Sequence, residues 1–172
     1  MSKDFVENRV AELFGENKFL CGETVARVIA DAGGRDYRDV VCAVTGFCSG
    51  MSRSCGQCGV LAGAVMGMGL YVGRSEMSED HEACYALVQE FCSRFQQRFG
   101  SSNCYELIRC DFNNPDDMVR FRRDNVREYC RTIVEFGAEV ALSILREHGY
   151  LPEEDDCPEI GAGLAVVCAA AS

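Results

Sequence analysis

Apolar residues recur at intervals of three and four along most of this chain, the spacing of helices buried on one face. Over residues 3–14, Phe5, Val6, Val10, Leu13 and Phe14 fall on one stripe, and Gly15 stops it. Residues 20–32 predict a second helix, carrying Cys21, Val25, Val28 and Ile29. Gly33-Gly34 ends it, where a positive φ costs little. Residues 37–47, with Val40, Val41 and Val44, read as a third helix, although paired β-branched valines also suit a strand.

Residues 48–55 read as a loop that delivers Cys55 and Cys58 to a helix over 56–72 rich in small residues. Gly59, Gly63 and Gly67 share one face there, so another helix or a cofactor can approach the backbone. The clearest helix spans 79–99. Ser78 is its expected cap, Glu79 and Asp80 fill the first turn, and the stripe Cys84, Leu87, Val88, Phe91, Cys92, Phe95 and Phe99 runs to Gly100. A short turn holds Cys104, Leu107 and Ile108, and Asn114-Pro115-Asp116-Asp117 restarts a helix. The last helix, about 124–147, lines up Val126, Cys130, Ile133, Val134, Gly137, Ala141, Ile144 and Leu145 before Gly149 and Pro152. These patterns predict an all-α fold: a single-domain helical bundle of about six helices over 1–149, then an acidic linker and apolar tail over 150–172.

Composition narrows the function. The chain has 172 residues, a length that buries a core without cross-links. A net charge of −10, from 27 acids against 17 Lys and Arg, opposes binding to nucleic acid, which depends on neutralising phosphates. A basic protein partner or a small molecule suits it better. No apolar run reaches the roughly 18–20 residues that cross a bilayer. The first nine residues mix charges without an apolar stretch, so no signal peptide is expected and the cytoplasm is the expected compartment. Twelve cysteines in such a chain then point to metal-binding or redox thiols rather than structural disulfides.

Cys55-Gly56-Gln57-Cys58 is a CxxC at a predicted helix start, where free N–H groups favour thiolate. Such a pair can cycle between dithiol and disulfide, or ligate zinc or an iron–sulfur cluster. No βαβ pattern and no Trp accompany it, which weighs against a thioredoxin-like site. Gly59 stands where a c-type haem would need His. Of the two histidines, neither is near this segment in sequence, so an all-cysteine site is favoured over a mixed one.

Cys58-Gly59-Val60-Leu61-Ala62-Gly63 resembles the glycine–cysteine motif of the C-GCAxxG-C-C family of redox-active proteins. Cys21, in Phe19-Leu20-Cys21-Gly22-Glu23-Thr24-Val25, resembles the family's first cysteine. Cys104, after Phe99-Gly100-Ser101-Ser102-Asn103, resembles the third, and Cys130, in Tyr129-Cys130-Arg131-Thr132, the fourth. The likeness covers about residues 5–147. Val60 replaces the motif's alanine, and eight further cysteines depart from the pattern. The resemblance implies a redox protein in which Cys21, Cys58, Cys104 and Cys130 ligate an iron–sulfur cluster, 2Fe–2S or 4Fe–4S, with Gly59 and Gly63 beside it. It would pass electrons to a partner protein, as a monomer or homodimer. Two alternatives stay open: thiol–disulfide exchange with Cys58 as nucleophile and Cys55 or Cys21 resolving, and a structural zinc site on four thiolates.

The remaining cysteines have plainer readings. Cys84 and Cys92 lie on an apolar stripe and are expected in the core, as is Cys42. Cys157 and Cys168 travel with the tail. Cys48, Cys55 and Cys110 stand near the implied site in sequence, and Arg53 beside them could offset thiolate charge.

Overall fold

The computed structural model describes residues 3–16 and 18–152. The expected linker and tail beyond Pro152, with Cys157 and Cys168, lie outside the described residues. Among the described residues there are eight right-handed α-helices and no strand. They are α1 (Lys3–Val10), α2 (Cys21–Ala32), α3 (Arg38–Val44), α4 (Gly59–Val72), α5 (Glu82–Phe99), α6 (Cys104–Ile108), α7 (Pro115–Arg123) and α8 (Val126–Glu147). The all-α expectation holds, with a helix count close to the six expected. The 37–47 segment is helical, α3 passing into a 3-10 turn at Thr45–Phe47, so the valine pair does not build a strand.

Helix α2 is central: it packs on α4 and on α8, while α1 and α5 cover α8 from outside. Val25, Ile29, Met68, Phe91, Phe95, Ile133, Leu142 and Leu145 fill the space between them, all essentially fully buried. Phe95 and Phe99, tilted against each other on α5, both meet Phe136 of α8 edge-on. Each such ring pair contributes about 0.5–1.5 kcal/mol beyond its burial.

The glycine ladder of α4 exists for α2. A Cβ on Gly63 would stand 2.3 Å from the Gly22 carbonyl oxygen, and one on Gly67 would meet Ile29 Cδ1 at 2.8 Å. The two axes therefore approach until backbone touches backbone, and the start of each helix lies beside the other. Helix α5 begins at Glu82, later than expected. Glu79 is already accepting bonds from the Ser75 and Glu76 amides, and Asp80 takes over the cap with the His81 and Glu82 amides. Asn114 caps α7 as its sequence implies, accepting from the Asp116 and Asp117 amides. Cys42 departs from its expected core position: it is exposed on the outer face of α3, whose inner face is filled by Val40, Val41 and Val44.

Candidate functional site

Three cysteines stand at helix starts. Cys21 is the first residue of α2, Cys58 the N-cap of α4 and Cys104 the first residue of α6. The α2 start is fixed by Glu23, whose buried carboxylate accepts from the Leu20 amide and from the Thr45 hydroxyl, both at 2.7 Å. Asn103 caps α6 through the Glu106 amide and donates to the Cys55 carbonyl at 2.8 Å. A small antiparallel bridge between Gln57 and Asn103 ties the two segments, with Cys58 N–H donating to the Ser102 carbonyl and Cys104 N–H to that of Gly56. That strap brings Cys58 and Cys104, remote in sequence, to one place. Cys130 comes from the second turn of α8.

The segment between Cys48 and Ser54 is a turn of left-handed helix. Ser49, Gly50, Met51 and Ser52 have φ of 54, 64, 49 and 53° with ψ between 40 and 76°, and Arg53 continues at φ 69°. Each non-glycine member costs about 1–2 kcal/mol. Tertiary bonds hold it there: Ser52 Oγ donates to the Gly46 carbonyl, the Gly56 amide to that of Gly50, and Asn113 Nδ2 to that of Arg53. Two contacts explain its use. The Ser49 amide hydrogen-bonds the Cys21 sulfur, and Gly50 lies so close to α6 that a Cβ there would stand 2.7 Å from Cys104 Cβ. Strain of this kind collects where a site must be held in one geometry.

Cys21, Cys58, Cys104 and Cys130 all line a single cavity of about 520 Å³. Its wall also includes Val60 and Ile133, and three arginines: Arg53, Arg122 and Arg127. The thiols feel one another. Burial pushes Cys104 and Cys130 up to about 12, and negative charge on Cys21 adds to both. Burial and the same neighbour raise Cys58 well above the ordinary thiol range. Cys21 moves the other way, to about 7: the Cys48 thiol hydrogen-bonds it, outweighing burial, and the Ser49 and Gly22 amides add to that. Cys48, buried beside it, is pushed up by its closeness to Cys21 and by burial, and its thiol also lies within donating distance of the Val44 carbonyl, at 3.8 Å. Among the described residues no three of His, Cys, Asp or Glu are grouped closely enough to hold a single metal ion.

The structure thus brings together the four cysteines singled out from sequence and leaves others aside. Cys55, half-buried at φ 58°, is not on the cavity wall; burial and then the Asp111 carboxylate raise its pKa. Gly59 and Gly63 do not line the cavity either. They face Cys21, Cys48 and the Gly22 backbone, as contact points for α2. Cys84 is half-exposed on α5, while Cys92 packs against the core. Sequence reasoning placed Cys48 only near the site, and the fold makes it the partner of Cys21. Arg127 it missed, although its signal was there: three residues before Cys130 on one helix, it shares that face.

The family model described as putative redox-active protein (C_GCAxxG_C_C) matches residues 19–144. The chain belongs to this family. The matched span runs from just before Cys21 to the last turns of α8 and contains every thiol on the cavity wall. Neither the curated proteins nor the solved structures include a match.

Proposed function

We propose that this family member is an electron-transfer protein holding an iron–sulfur cluster on Cys21, Cys58, Cys104 and Cys130. The observation that carries it is the meeting of those four thiols, from four separate segments, on one cavity wall. Their chemistry suits the group: four thiols are the donor set that iron–sulfur clusters take. Bound there, the cluster would supply one-electron transfer.

The chain's own residues prepare the site electrostatically. The first turns of α2 and α4 turn backbone amides toward their own cysteines, Gly22 toward Cys21 and Val60 toward Cys58, and these favour negative charge there. Arg127, three residues before Cys130 on α8, opposes the rise of that thiol's pKa. Cys58, Cys104 and Cys130 hold their protons tightly, so ligation must release them, and loading is favoured as pH rises. An acidic chain of net charge −10 would dock a basic partner surface.

One observation favours a second reading, thiol–disulfide exchange: Cys21 and Cys48 meet against Gly59, with Cys21 lowered to about 7. Cys21 as thiolate would attack one sulfur of a substrate disulfide and expel the other as a thiolate, which takes a proton from water. Cys48, losing its proton, would then attack the Cys21 sulfur and release the second thiol, leaving a Cys21–Cys48 disulfide and a fully reduced substrate. Cys58, the nucleophile expected from sequence, suits that role less because burial keeps it protonated.

Anoxic reconstitution with ferrous iron and sulfide separates the two. The cluster reading expects visible charge-transfer absorption with bound iron and sulfide. A colourless protein whose thiols all remain titratable contradicts it and favours exchange.

A further inference from the structure

The sulfurs do not exhaust the cavity's chemistry. Three of its lining side chains are arginines and none is acidic, although acids outnumber Lys and Arg 27 to 17 in the chain. Among the described residues neither Arg53 nor Arg122 pairs with a carboxylate. Arg127 is held by donating to the Phe14 carbonyl at 2.7 Å, its guanidinium 3.9 Å from the Phe14 ring centre. Bonded to a carbonyl, it keeps its full charge. The wall contributed by α7 and the segment before it carries no cysteine: Phe112, Met118 and Phe121 line it, the two rings edge to face at 5.5 Å.

Thiolates bonded to metal could use one nearby cation to offset their charge. They need neither this apolar wall nor a second free guanidinium beside it, and Arg53 and Arg122 are exposed at the cavity's edge. An inorganic anion would leave the wall unused, and a neutral apolar molecule would leave the arginines unused. We infer that the cavity binds a small organic anion, its apolar body against Phe112, Met118 and Phe121 and its charged head on Arg53, Arg122 and Arg127. Charge-assisted hydrogen bonds from guanidinium to carboxylate or phosphate are the strong kind, and an apolar pocket with a few converging polar groups is the usual form of a small-molecule site. This ligand site goes beyond the redox reading and shares only the cavity with it.

Titration calorimetry on the full chain, metal-free and after reconstitution, tests it with naphthalene-2-carboxylate, its neutral carboxamide and inorganic phosphate. The carboxylate is expected to bind once per chain in at least one form, about tenfold or more tighter than the carboxamide or phosphate. The Arg53→Gln/Arg122→Gln double variant should erase that preference while keeping its helical circular dichroism and unfolding midpoint. No carboxylate binding in either form overturns the inference. So does equal binding of the carboxamide or of phosphate, or a preference that survives the double variant. Iron content measured on the same samples keeps the two ideas apart. Carboxylate binding without iron loading leaves this site standing and removes the cluster, and iron loading without carboxylate binding does the reverse.

Discussion

Gly59 lets the first turn of α4 rest on the Cys21 thiol: a Cβ there would stand 2.9 Å from Cys21 Sγ and 3.0 Å from the Phe47 carbonyl oxygen. The same helix then runs Gly63 against the Gly22 backbone and Gly67 against the Ile29 side chain. The ladder sets how closely the thiol-bearing helix starts can meet.

Substitutions along it should fall in a definite order. Gly63→Ala meets backbone that cannot yield and should cost about 3 kcal/mol, at the upper end for overpacking. Gly67→Ala meets the Ile29 side chain, its Cβ at 2.9 Å included, rather than a backbone carbonyl, and should cost less. Gly69→Ala, with nothing within 4 Å of its added methyl, should stabilise α4 by about 0.5–1 kcal/mol through helix propensity. Urea unfolding of the three variants checks the order. Equal effects would mean that α2 and α4 do not touch along this face.

Val60 and Gly137 should be energetically coupled. Val60 occupies the position where the resemblance implies alanine, and its Cγ1 fills the space over Gly137, where an added Cβ would lie 2.2 Å away. Gly137→Ala alone should therefore be destabilising. Once Val60→Ala removes that methyl, the nearest remaining neighbours are the Cβ of residue 60 at 3.7 Å and Val25 at 3.9 Å, and the new methyl fits. A double-mutant cycle by thermal unfolding should show a coupling of about 1 kcal/mol or more. Strict additivity would contradict the contact.

The thiols should give the metal-free protein pH dependences of opposite sign. Cys21, lowered to about 7 from an ordinary 9.0, favours the folded state as thiolate. That contribution is complete above the ordinary value and is lost as pH falls through about 7. Cys104 and Cys130, raised to about 12, favour the fold as neutral thiols. Their contribution is complete below the ordinary value and is lost as pH rises toward 12. Iodoacetamide labelling followed by peptide mass spectrometry should find Cys21 half-reactive near pH 7. Cys48→Ala, by removing the largest cause of the shift, should move that midpoint upward. An unchanged midpoint would mean that Cys48 does not hold the Cys21 thiolate.

Much of the fold was legible because helix burial writes itself into the sequence at a period near 3.6. The Asn114-Pro115 restart, the Gly100 stop and the long stripe of α8 are local signals that tertiary contacts had no reason to override. The left-handed turn was not legible. Ser49-Gly50-Met51-Ser52-Arg53 holds one glycine, and its conformation is imposed by bonds from remote residues such as Asn113 to the Arg53 carbonyl. Cys48 was hard to read for the same reason: its partner Cys21 reaches it only through the packing of α2 on the left-handed segment that Cys48 begins. The four cavity cysteines were legible as a set through the family likeness. Cys42 misled because its helix buries valines on the other side, leaving the thiol in solvent.

Native mass spectrometry of anoxically reconstituted protein tests the central claim most directly, because it counts iron and sulfur on the intact chain. Wild type and Cys84→Ser should carry the same cluster mass, and Cys21→Ser, Cys58→Ser, Cys104→Ser and Cys130→Ser should each lose it or load only partially. Full loading in those four variants, or equal loss in Cys84→Ser, would contradict a cluster held by the thiols that meet on this cavity wall.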